Sequence, residues 1–450
     1  MDKAVSDRVV LHWGKRLLGP LLGLVLASGP VASQSPDQNY AFVGGQWFNG
    51  RGFEKKMVYA VGGRFTFERP SKIDSTVDLQ NRYVVPPFGE AHTHRLSDRR
   101  EVEAGISDFL RDGIYYAKIL NDIPLSSAVA RERLNRPDSV DAVYAHGGLT
   151  ATGGHPIRLY AFLAQSKYIE ITDFKKLDGQ AYHVVDSEAD LERKWPQILA
   201  GKPDLIKTYL LYSEEFDKRK DDKRYFGAKG LDPRLLGRIV AKAHRAGLRV
   251  ATHIETAADF RSAVAAGVDE IAHLPGYWFG PPEWPMPPTA FELTREDVQL
   301  ARRNNVVVVT TTLVTDGLVK DKAQAAQIQA VQKRNLRLLK EAGVQLVIGS
   351  DAFGATSLQE ALKLDTLGGF DRLELLKHLC ESTPQNVFPD RKIGSLAEGY
   401  EASFLVLEAD PLADFGNIKK IARRFKQGRW VEVPAAGGEK RSQAGPVHAH

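Results

Sequence analysis

The sequence predicts an α/β fold, a (β/α)8 TIM-like barrel with a small β-sandwich domain built from both chain ends. Two observations carry this prediction. Short apolar strands alternate with helical segments through residues 88–387, as expected for a parallel barrel. On both sides of that region, residues 40–87 and 394–432 contain short strands separated by Gly-rich turns. We therefore predict a small β domain from residues 39–87 and 388–433, with the barrel at 88–387.

The barrel prediction rests on strand patterns that recur along the middle of the chain. They are FGEAH (88–92), IYYAKIL (114–120), AVYAHGG (142–148), DLIKTYLL (204–211), RVATHIE (249–255), DEIAHLP (269–275), VVVVTTT (306–312) and VQLVIGSD (344–351). Helical patterns such as residues 232–247 and 322–343 lie between them, and several end at a glycine, as at Gly247 and Gly343. An open doubly wound sheet is the alternative fold, but no G-x-G-x-x-G follows the first strand.

The two chain termini have compositions of their own. Lys15 and Arg16 precede the apolar run LLGPLLGLVLA, and small residues follow it up to Ser33. This pattern predicts a signal peptide over residues 1–33 and a secreted or periplasmic protein. The run is shorter than the ~20 residues that a membrane-spanning helix needs. Residues 434–450 are rich in Ala, Gly and charge, which predicts a disordered tail.

Length, charge and cysteine content limit the possible partners. The chain has 450 residues and a formal net charge of +5, with charges of both signs spread along it and no long Lys/Arg block. We therefore expect a small-molecule substrate, no nucleic-acid partner and no stable membrane span. The oligomeric state is open, and a homo-oligomer is compatible with the sequence. Cys380 is the single cysteine, so no intrachain disulfide can form, and its helical context predicts a buried apolar role.

Residues able to bind metal follow several of the predicted strands. In a (β/α)8 barrel the carboxyl ends of the strands form the active-site face. A lone His at such a place is usually structural, and a lone Asp often caps a helix, but a set on five strands indicates a metal site. The set consists of His92 and His94 on strand 1, Lys207 on strand 4, His253 on strand 5, His273 on strand 6 and Asp351 on strand 8.

The chemistry of this set is consistent with divalent ions. His92 and His94 are two residues apart, so both side chains point to the same side of an extended strand. Imidazole and carboxylate ligands suit Zn²⁺, with Mn²⁺, Fe²⁺ or Co²⁺ as alternatives. Lys207 has two interpretations. It is either a cation that binds an anionic substrate or a neutral, desolvated amine that reacts with CO₂ to give an anionic carbamate bridge.

The motifs AHTH, IK, ATHIE, AHLPG and GSD, in this order, resemble those of the amidohydrolase superfamily. The resemblance covers most of the chain after the signal pattern, including GSLAEGYEASFLVL near its end, and it is greatest to the binuclear branch with imidazolonepropionase-like and prolidase-like enzymes. It implies that His92, His94 and Asp351 hold one metal ion, that His253 and His273 hold a second, and that carboxylated Lys207 bridges them. A metal-bridged hydroxide would then attack a carbonyl, with Asp351 as general base and acid.

The substrate is less well defined by the sequence. GGLTATGGHP (147–156) is similar to a T-G-G-H stretch of peptidase-like amidohydrolases, which implies substrate contacts for His155 and, by strand parity with Lys207, for Tyr209. Pro156 departs from that pattern, in which Gly is more usual. The aromatic and Pro-rich loop 276–293 predicts an apolar wall over the pocket. Glu90 shares the parity of His92 and lies one step deeper, so it is a candidate for orienting a ligand.

These observations predict a metal-dependent hydrolase of a C–N bond of amide or peptide type, acting on a dipeptide, an N-acyl amino acid or a cyclic amide. Two alternatives stay open. The same site could hydrolyse a lactone or another ester, since fold alone does not define the bond that is cleaved. A non-catalytic binding protein could also keep this fold, although none of the expected ligands is missing from the sequence.

Overall fold

The computed structural model describes residues 38–280 and 283–433. The predicted signal peptide and the predicted C-terminal tail lie outside the described residues. The first described elements are five strands, β1 (Tyr40–Phe48), β2 (Phe53–Val61), β3 (Arg64–Thr66), β4 (Ser75–Asp78) and β5 (Tyr83–Val85). Gly62 and Gly63 form the turn between β2 and β3, and both have the positive φ that a tight hairpin turn requires.

The middle of the chain forms the barrel, whose strands run parallel. They are β6 (Phe88–Thr93), β7 (Ile114–Ile119), β8 (Asp141–Tyr144), β9 (Gly148–Thr150), β10 (Tyr182–Val184), β11 (Ile206–Tyr209), β12 (Val250–His253), β13 (Glu270–Ile271), β14 (Val307–Val309) and β15 (Leu346–Val347). The last strand closes on the first through two hydrogen bonds, Ala91 N–H to the Ile348 carbonyl at 2.9 Å and Asp351 N–H to the His92 carbonyl at 2.8 Å.

The third barrel strand is divided into β8 and β9 by His146, which has a φ of 59°. β8 pairs with β7, whereas β9 pairs with β11, so the two pieces together join the neighbouring strands of the barrel. β10 pairs only with β9 among the described strands and is additional to the predicted barrel strands. Every other predicted strand is present, although those near residues 270 and 346 are shorter than their apolar patterns.

Thirteen described α-helices accompany these strands. They are α1 (Val102–Arg111), α2 (Pro124–Arg131), α3 (Ile157–Gln165), α4 (Glu188–Ala200), α5 (Phe216–Arg219), α6 (Pro233–Arg245), α7 (Ala257–Ala266), α8 (Arg295–Arg303), α9 (Val314–Leu318), α10 (Lys322–Glu341), α11 (Ser357–Leu367), α12 (Arg372–Lys377) and α13 (Thr383–Val387). Local sequence explains their ends: Asp232 caps α6 ahead of Pro233, and Gly267 ends α7 in the left-handed conformation. None of the helices in this part of the chain is long and apolar enough to span a bilayer.

The chain then returns to the first sheet with β16 (Phe404–Leu407), β17 (Ile421–Lys426) and β18 (Arg429–Trp430). The strand order is β18-β17-β16-β5-β1-β2-β3, with β4 on β1. Phe65 of β3 stacks on Phe404 of β16 with ring centroids 6.2 Å apart, although these strands are not neighbours in the sheet. The sheet therefore curls around an aromatic core, and the predicted barrel with a sandwich from both chain ends is confirmed.

Buried ion pairs join this sheet to the barrel. Lys426 of β17 lies 2.6 Å from Asp141 of β8, and Arg391 contacts both Asp141 and Glu401. Cys380 is fully buried in a π-helical turn (His378–Ser382) between α12 and α13, where burial raises the pKa of its thiol well above the ordinary value. Its predicted apolar role agrees with this position.

Candidate metal centre

The six predicted ligands lie together at the carboxyl end of the barrel and line one cavity. Their imidazole rings form a row, with centroid distances of 5.3 Å from His94 to His92, 4.7 Å from His92 to His273 and 4.4 Å from His273 to His253. They meet because the carboxyl ends of parallel strands share one edge of a barrel. The strand positions inferred from sequence thus place every predicted ligand at this site.

His92 and His94 are oriented by backbone carbonyls. The Nδ1 atom of His92 is 2.9 Å from the Ala272 carbonyl oxygen, and that of His94 is 3.1 Å from the Asn121 carbonyl oxygen. Because a carbonyl can only accept, both Nδ1 atoms carry the proton and both Nε2 atoms keep a lone pair. The Nε2 atoms point at Asp351 Oδ1, at 3.4 Å from His92 and 3.0 Å from His94.

Asp351 adopts a positive φ of 45°, which is rare for a residue with a side chain. This conformation directs its carboxylate toward His92, His94 and, at 3.6 Å, His273 Nδ1. Burial would raise the pKa of Asp351, but the surrounding histidines hold it well below its ordinary value. The group is therefore an anionic ligand candidate at neutral pH.

Glu90 lies directly beneath the ligands and is fully buried. Its carboxylate accepts hydrogen bonds from the backbone N–H groups of His92, Ser350 and Ser357 and from the Ser350 hydroxyl, at 2.7 to 3.1 Å. Burial raises the pKa of Glu90 to about 8, against these four donors. One of these donors is the N–H of His92 and another is the N–H of Ser350, which precedes Asp351. Glu90 therefore orients the backbone that carries both candidate ligands, the role suggested by its strand parity.

Two buried nitrogen atoms of the centre have no hydrogen-bond partner among the described residues. They are Nε2 of His92 and Nζ of Lys207. Burial lowers the pKa of Lys207 to about 7, although the negative charge of Asp351 raises it. Potential ligand atoms of His92, His273 and Asp351 lie within 4.8 Å of one another. This donor set fits a divalent cation, which would satisfy lone pairs that the protein itself leaves unpaired.

His253 contacts a carboxylate that the sequence reasoning did not single out. Its Nε2 atom lies 3.2 Å from Oε1 of Glu255, which is itself buried. Oε1 of Glu255 also accepts the Tyr277 hydroxyl, and Oε2 accepts Trp278 Nε1–H at 2.6 Å. Burial raises the pKa of Glu255 to about 8, against those two donors. The available signal was its spacing of two residues from His253, the last residue of β12.

The two predicted substrate-binding residues also line the cavity. The His155 ring stacks on His253 with centroids 4.8 Å apart, and the Tyr209 ring lies 5.3 Å from His155. Both therefore lie at the His253 end of the row of rings. His146, on the third strand, pairs through Nδ1 with Asp122 at 2.9 Å.

The apolar side of the cavity comes from a different segment than predicted. The residues of loop 276–293 that the structure describes pack elsewhere: Phe279 and Phe291 form a cluster with Ile328 and Val331 of α10. Tyr277 contacts Glu255 instead of extending over the cavity. The apolar residues that line the cavity are Leu96, Ile123, Pro156, Leu159, Leu163, Ile169 and Phe353, together with the rings of Tyr160 and Tyr168. The prediction that loop 276–293 forms this wall is therefore not supported by its described residues, because aromatic content does not determine where a loop packs.

The fold and the cluster together define a class: a (β/α)8 barrel with a metal-ligand set at its carboxyl-terminal face and a sheet made from both chain ends. Comparison with known proteins agrees with this class. A sequence model of the amidohydrolase family matches residues 198–431, which is more than half of the chain. The chain belongs to the amidohydrolase family, so the resemblance seen in the motifs is confirmed.

Individual relatives show the range of proteins that share this fold. An ochratoxinase of Aspergillus niger is 28% identical over 228 residues, a match that spans 48% of this chain and only 45% of that protein. Its crystal structure has a TM-score of 0.66 at 20% identity and covers 87% of this chain and 95% of that chain. A prolidase complexed with N-methylphosphonate-L-proline has a TM-score of 0.66 at 19% identity, and the match covers 88% of this chain and 100% of that chain. Molinate hydrolase has a TM-score of 0.67 at 17% identity, and the match covers 88% of this chain and 95% of that chain.

Proposed function

We propose that this protein hydrolyses a C–N bond in an amide or peptide-type substrate, using two divalent ions, with zinc as the first expectation. Family membership supports the reaction class. The observation that carries the proposal is a pair of buried nitrogens, His92 Nε2 and Lys207 Nζ, that have no hydrogen-bond partner among the described residues and share one cavity with His273 and anionic Asp351. Such a set is costly for the fold unless a cation or a reacting ligand uses it.

The ligands divide between the two ends of the site. His92, His94 and Asp351 would hold the first ion, and His253 and His273 the second. Lys207 lies on β11, next to the strand that carries His253, and its amine, which has no hydrogen-bond partner among the described residues, suits reaction with CO₂. In that reaction the amine nitrogen forms a bond to the carbon of CO₂ and releases one proton, which leaves an anionic carbamate with two oxygen donors. Bound divalent ions would supply a water-derived nucleophile at neutral pH and would polarise the substrate carbonyl.

Asp351 is the residue proposed to move the proton. Its low pKa leaves it ionised and able to accept a proton from the attacking oxygen. The same carboxyl group can then pass the proton to the leaving nitrogen, which must be protonated for the C–N bond to break. His155 and Tyr209, at the His253 end of the site, are placed to contact the carbonyl or carboxylate of the substrate. A dipeptide, an N-acyl amino acid and a cyclic amide are the substrate classes to test.

Metal analysis combined with a substrate panel tests this proposal. We expect about two ions per purified chain, loss of amide hydrolysis on chelation and its return when Zn²⁺ is added. One ion per chain would contradict the carbamate bridge and leave Lys207 as a cation for an anionic substrate. Hydrolysis of lactones with no cleavage of any amide would replace the proposal with an esterase. A metal-loaded protein that cleaves neither would indicate a binding protein.

The signal pattern supports a further part of the proposal, export of the protein to the periplasm or the medium. The measurement is the N-terminal sequence of the protein recovered from each cell fraction. A chain that begins after Ser33 and is found outside the cytoplasm is expected.

A further inference from the structure

An apolar wall covers one side of the cavity beside the candidate metal centre. We use this name for six residues: Ile123, Leu159, Leu163, Tyr168, Ile169 and Phe353. Four of them, Leu159, Tyr168, Ile169 and Phe353, are only half-buried, so the cavity is where their apolar surface meets solvent. Concave apolar surface next to a few polar groups is the usual form of a small-molecule site.

The wall has a defined place relative to the ligands. The Phe353 ring lies 6.1 Å from that of His94, and the Tyr168 ring meets Phe353 edge-on at 6.3 Å. Phe353 therefore extends the row of imidazole rings at its His94 end, whereas His155 lies at the His253 end. A carbonyl placed at the centre would direct one of its two substituents toward Phe353 and the other toward His155.

The wall is held in shape by polar contacts to its backbone and to neighbouring residues. Arg100 donates to the backbone carbonyl of Tyr168, and Arg99 pairs with Glu170 at 2.7 Å. Asn121, whose carbonyl orients His94, donates from its side chain to the Tyr160 hydroxyl at 2.6 Å. The wall is thus preorganised and tied to the centre, which lowers the cost of ordering it around a ligand.

Two of the charged groups near the wall are paired within the protein, and a third, the Glu101 carboxylate, adds negative charge to the cavity lining. Arg95 pairs with Asp108 at 2.5 Å, and Asp98 pairs with Arg100. Among the described residues that line the cavity, Arg95 and Lys207 are the Lys and Arg side chains, and Lys207 belongs to the centre. An anionic substituent on this side would meet no uncommitted guanidinium or ammonium group, and its desolvation would go uncompensated.

We propose that the apolar wall is a subsite for a bulky, uncharged apolar or aromatic group attached to one side of the scissile amide. This rests on the proposed amide hydrolysis and names the substrate class for it.

Matched substrates test the subsite. N-acetylglycine is compared with N-phenylacetylglycine, N-acetylphenylalanine and N-succinylglycine, which place an aromatic or an anionic group on either side of the amide. We expect kcat/KM at least tenfold higher for one aromatic member than for N-acetylglycine. If that member is N-phenylacetylglycine, the acyl side faces the wall and N-succinylglycine should have the lowest kcat/KM. The ratio of kcat/KM for that aromatic substrate to kcat/KM for N-acetylglycine should fall below threefold in Phe353→Ala and in Leu159→Glu. Phe162→Ala, on α3 but 41% exposed and absent from the cavity lining, should leave it unchanged.

A binding measurement separates this inference from the proposed reaction. Calorimetry compares phenylacetate with acetate on the metal-loaded protein, and tenfold tighter binding of phenylacetate, lost in Phe353→Ala, is expected even if no amide is cleaved. Absence of amide hydrolysis with this selectivity would refute the reaction and keep the subsite. Equal affinity for the two acids, or equal selectivity in Phe353→Ala, would overturn the subsite.

A second inference comes from the contacts of Glu255. We infer that Glu255 is a positioning residue that accepts a hydrogen bond from Nε2–H of His253 and so presents Nδ1 as the ligand atom. The 3.2 Å contact supplies the acceptor, and Tyr277 and Trp278 fix the carboxylate by donating one hydrogen bond to each oxygen. This arrangement is the carboxylate–histidine–metal unit that orients ligands in metal sites. It also gives loop 276–293 a function at the centre.

The test uses Glu255→Gln with Glu214→Gln as the matched control, because Glu214 is an exposed carboxylate nearby that accepts the Thr256 hydroxyl instead. Zinc titration against a competing chelator should show that one of the two zinc ions binds roughly tenfold or more weakly in Glu255→Gln. Zinc binding should be unchanged in Glu214→Gln. In the metal-free proteins, ¹⁵N signals of the His253 ring should show one tautomer, protonated at Nε2, in wild type and a mixture in Glu255→Gln. Identical tautomers in both proteins, or equal weakening of all metal binding, would overturn the inference.

Discussion

Replacing Lys207 with methionine is expected to stabilise the metal-free protein while removing a metal ion. The Lys207 amine is 1% exposed and has no hydrogen-bond partner among the described residues. Burial lowers its pKa from 10.5 to about 7. Because a difference of one in pKa corresponds to ~1.36 kcal/mol, the buried ammonium costs the fold about 4 to 5 kcal/mol below pH 7. Methionine has a similar length and no charge, so it avoids this cost.

The sign of the pH dependence follows from the lowered pKa. Between about pH 7 and 10.5 the unfolded chain binds the Lys207 proton and the folded chain does not, so wild-type stability rises with pH. The advantage of Lys207→Met is therefore largest below pH 7 and disappears toward pH 10.5. Denaturant unfolding of both metal-free proteins at pH 6 and pH 10 measures it.

Lys118 provides a control of opposite sign. Its Nζ lies 2.5 Å from Oε2 of buried Glu270 and also contacts Asn386. Lys118→Met leaves the Glu270 carboxylate without its cation, and breaking a buried pair costs about 3–5 kcal/mol. A destabilised Lys207→Met variant, or one with no pH-dependent difference from wild type, would refute the idea of an unpaired amine. Mass spectrometry would then show whether the amine already carries CO₂ in the metal-free protein.

Further predictions concern other groups of the site and the core. Asp351→Asn should keep the fold and lose turnover by roughly 10² to 10⁴-fold in steady-state kinetics, and wild-type kcat in a metal-loaded variant would contradict its assigned role. Glu90→Gln and Glu360→Gln each remove a buried acceptor of backbone N–H groups, so both should lose about 2 kcal/mol or more in denaturant unfolding. Only Glu90→Gln should also weaken zinc binding by calorimetry, since Glu360 accepts hydrogen bonds from Thr312 and Leu313, which are not candidate ligands. Cys380 should resist a thiol reagent until the protein unfolds, because burial raises its pKa, and rapid labelling of native protein would contradict this.

The placement of the candidate ligands around one cavity could be predicted because it depends on strand order and side-chain parity. His92 and His94 needed only the alternation of an extended strand, and His253 and His273 needed only to end their strands. Their partners depend on information of another kind. That Glu255 meets Tyr277 and Trp278, and that Phe353 and α3 supply the apolar wall, depends on how loops pack across the barrel face. Loop conformation has no periodicity that sequence inspection can detect.

The fold shows the same division. The barrel and the sheet from both chain ends followed from repeated patterns, whereas the break in the third strand at His146 and the short strand β10 did not. A left-handed residue other than glycine leaves little trace in composition. β10 contains three residues, which is too short for an alternation to be recognised.

The sheet built from both chain ends imposes an order on the making of this protein. β5 pairs with β16, so Val84 cannot pair with Val406 until Val406 has been synthesised. β5 therefore remains without this neighbour while the entire barrel emerges, and the sheet cannot be complete before β16 has been synthesised. Contacts between residues so far apart in sequence close slowly. A chain that stops short of β16 would carry all the candidate ligands and still lack the strands that complete its first sheet.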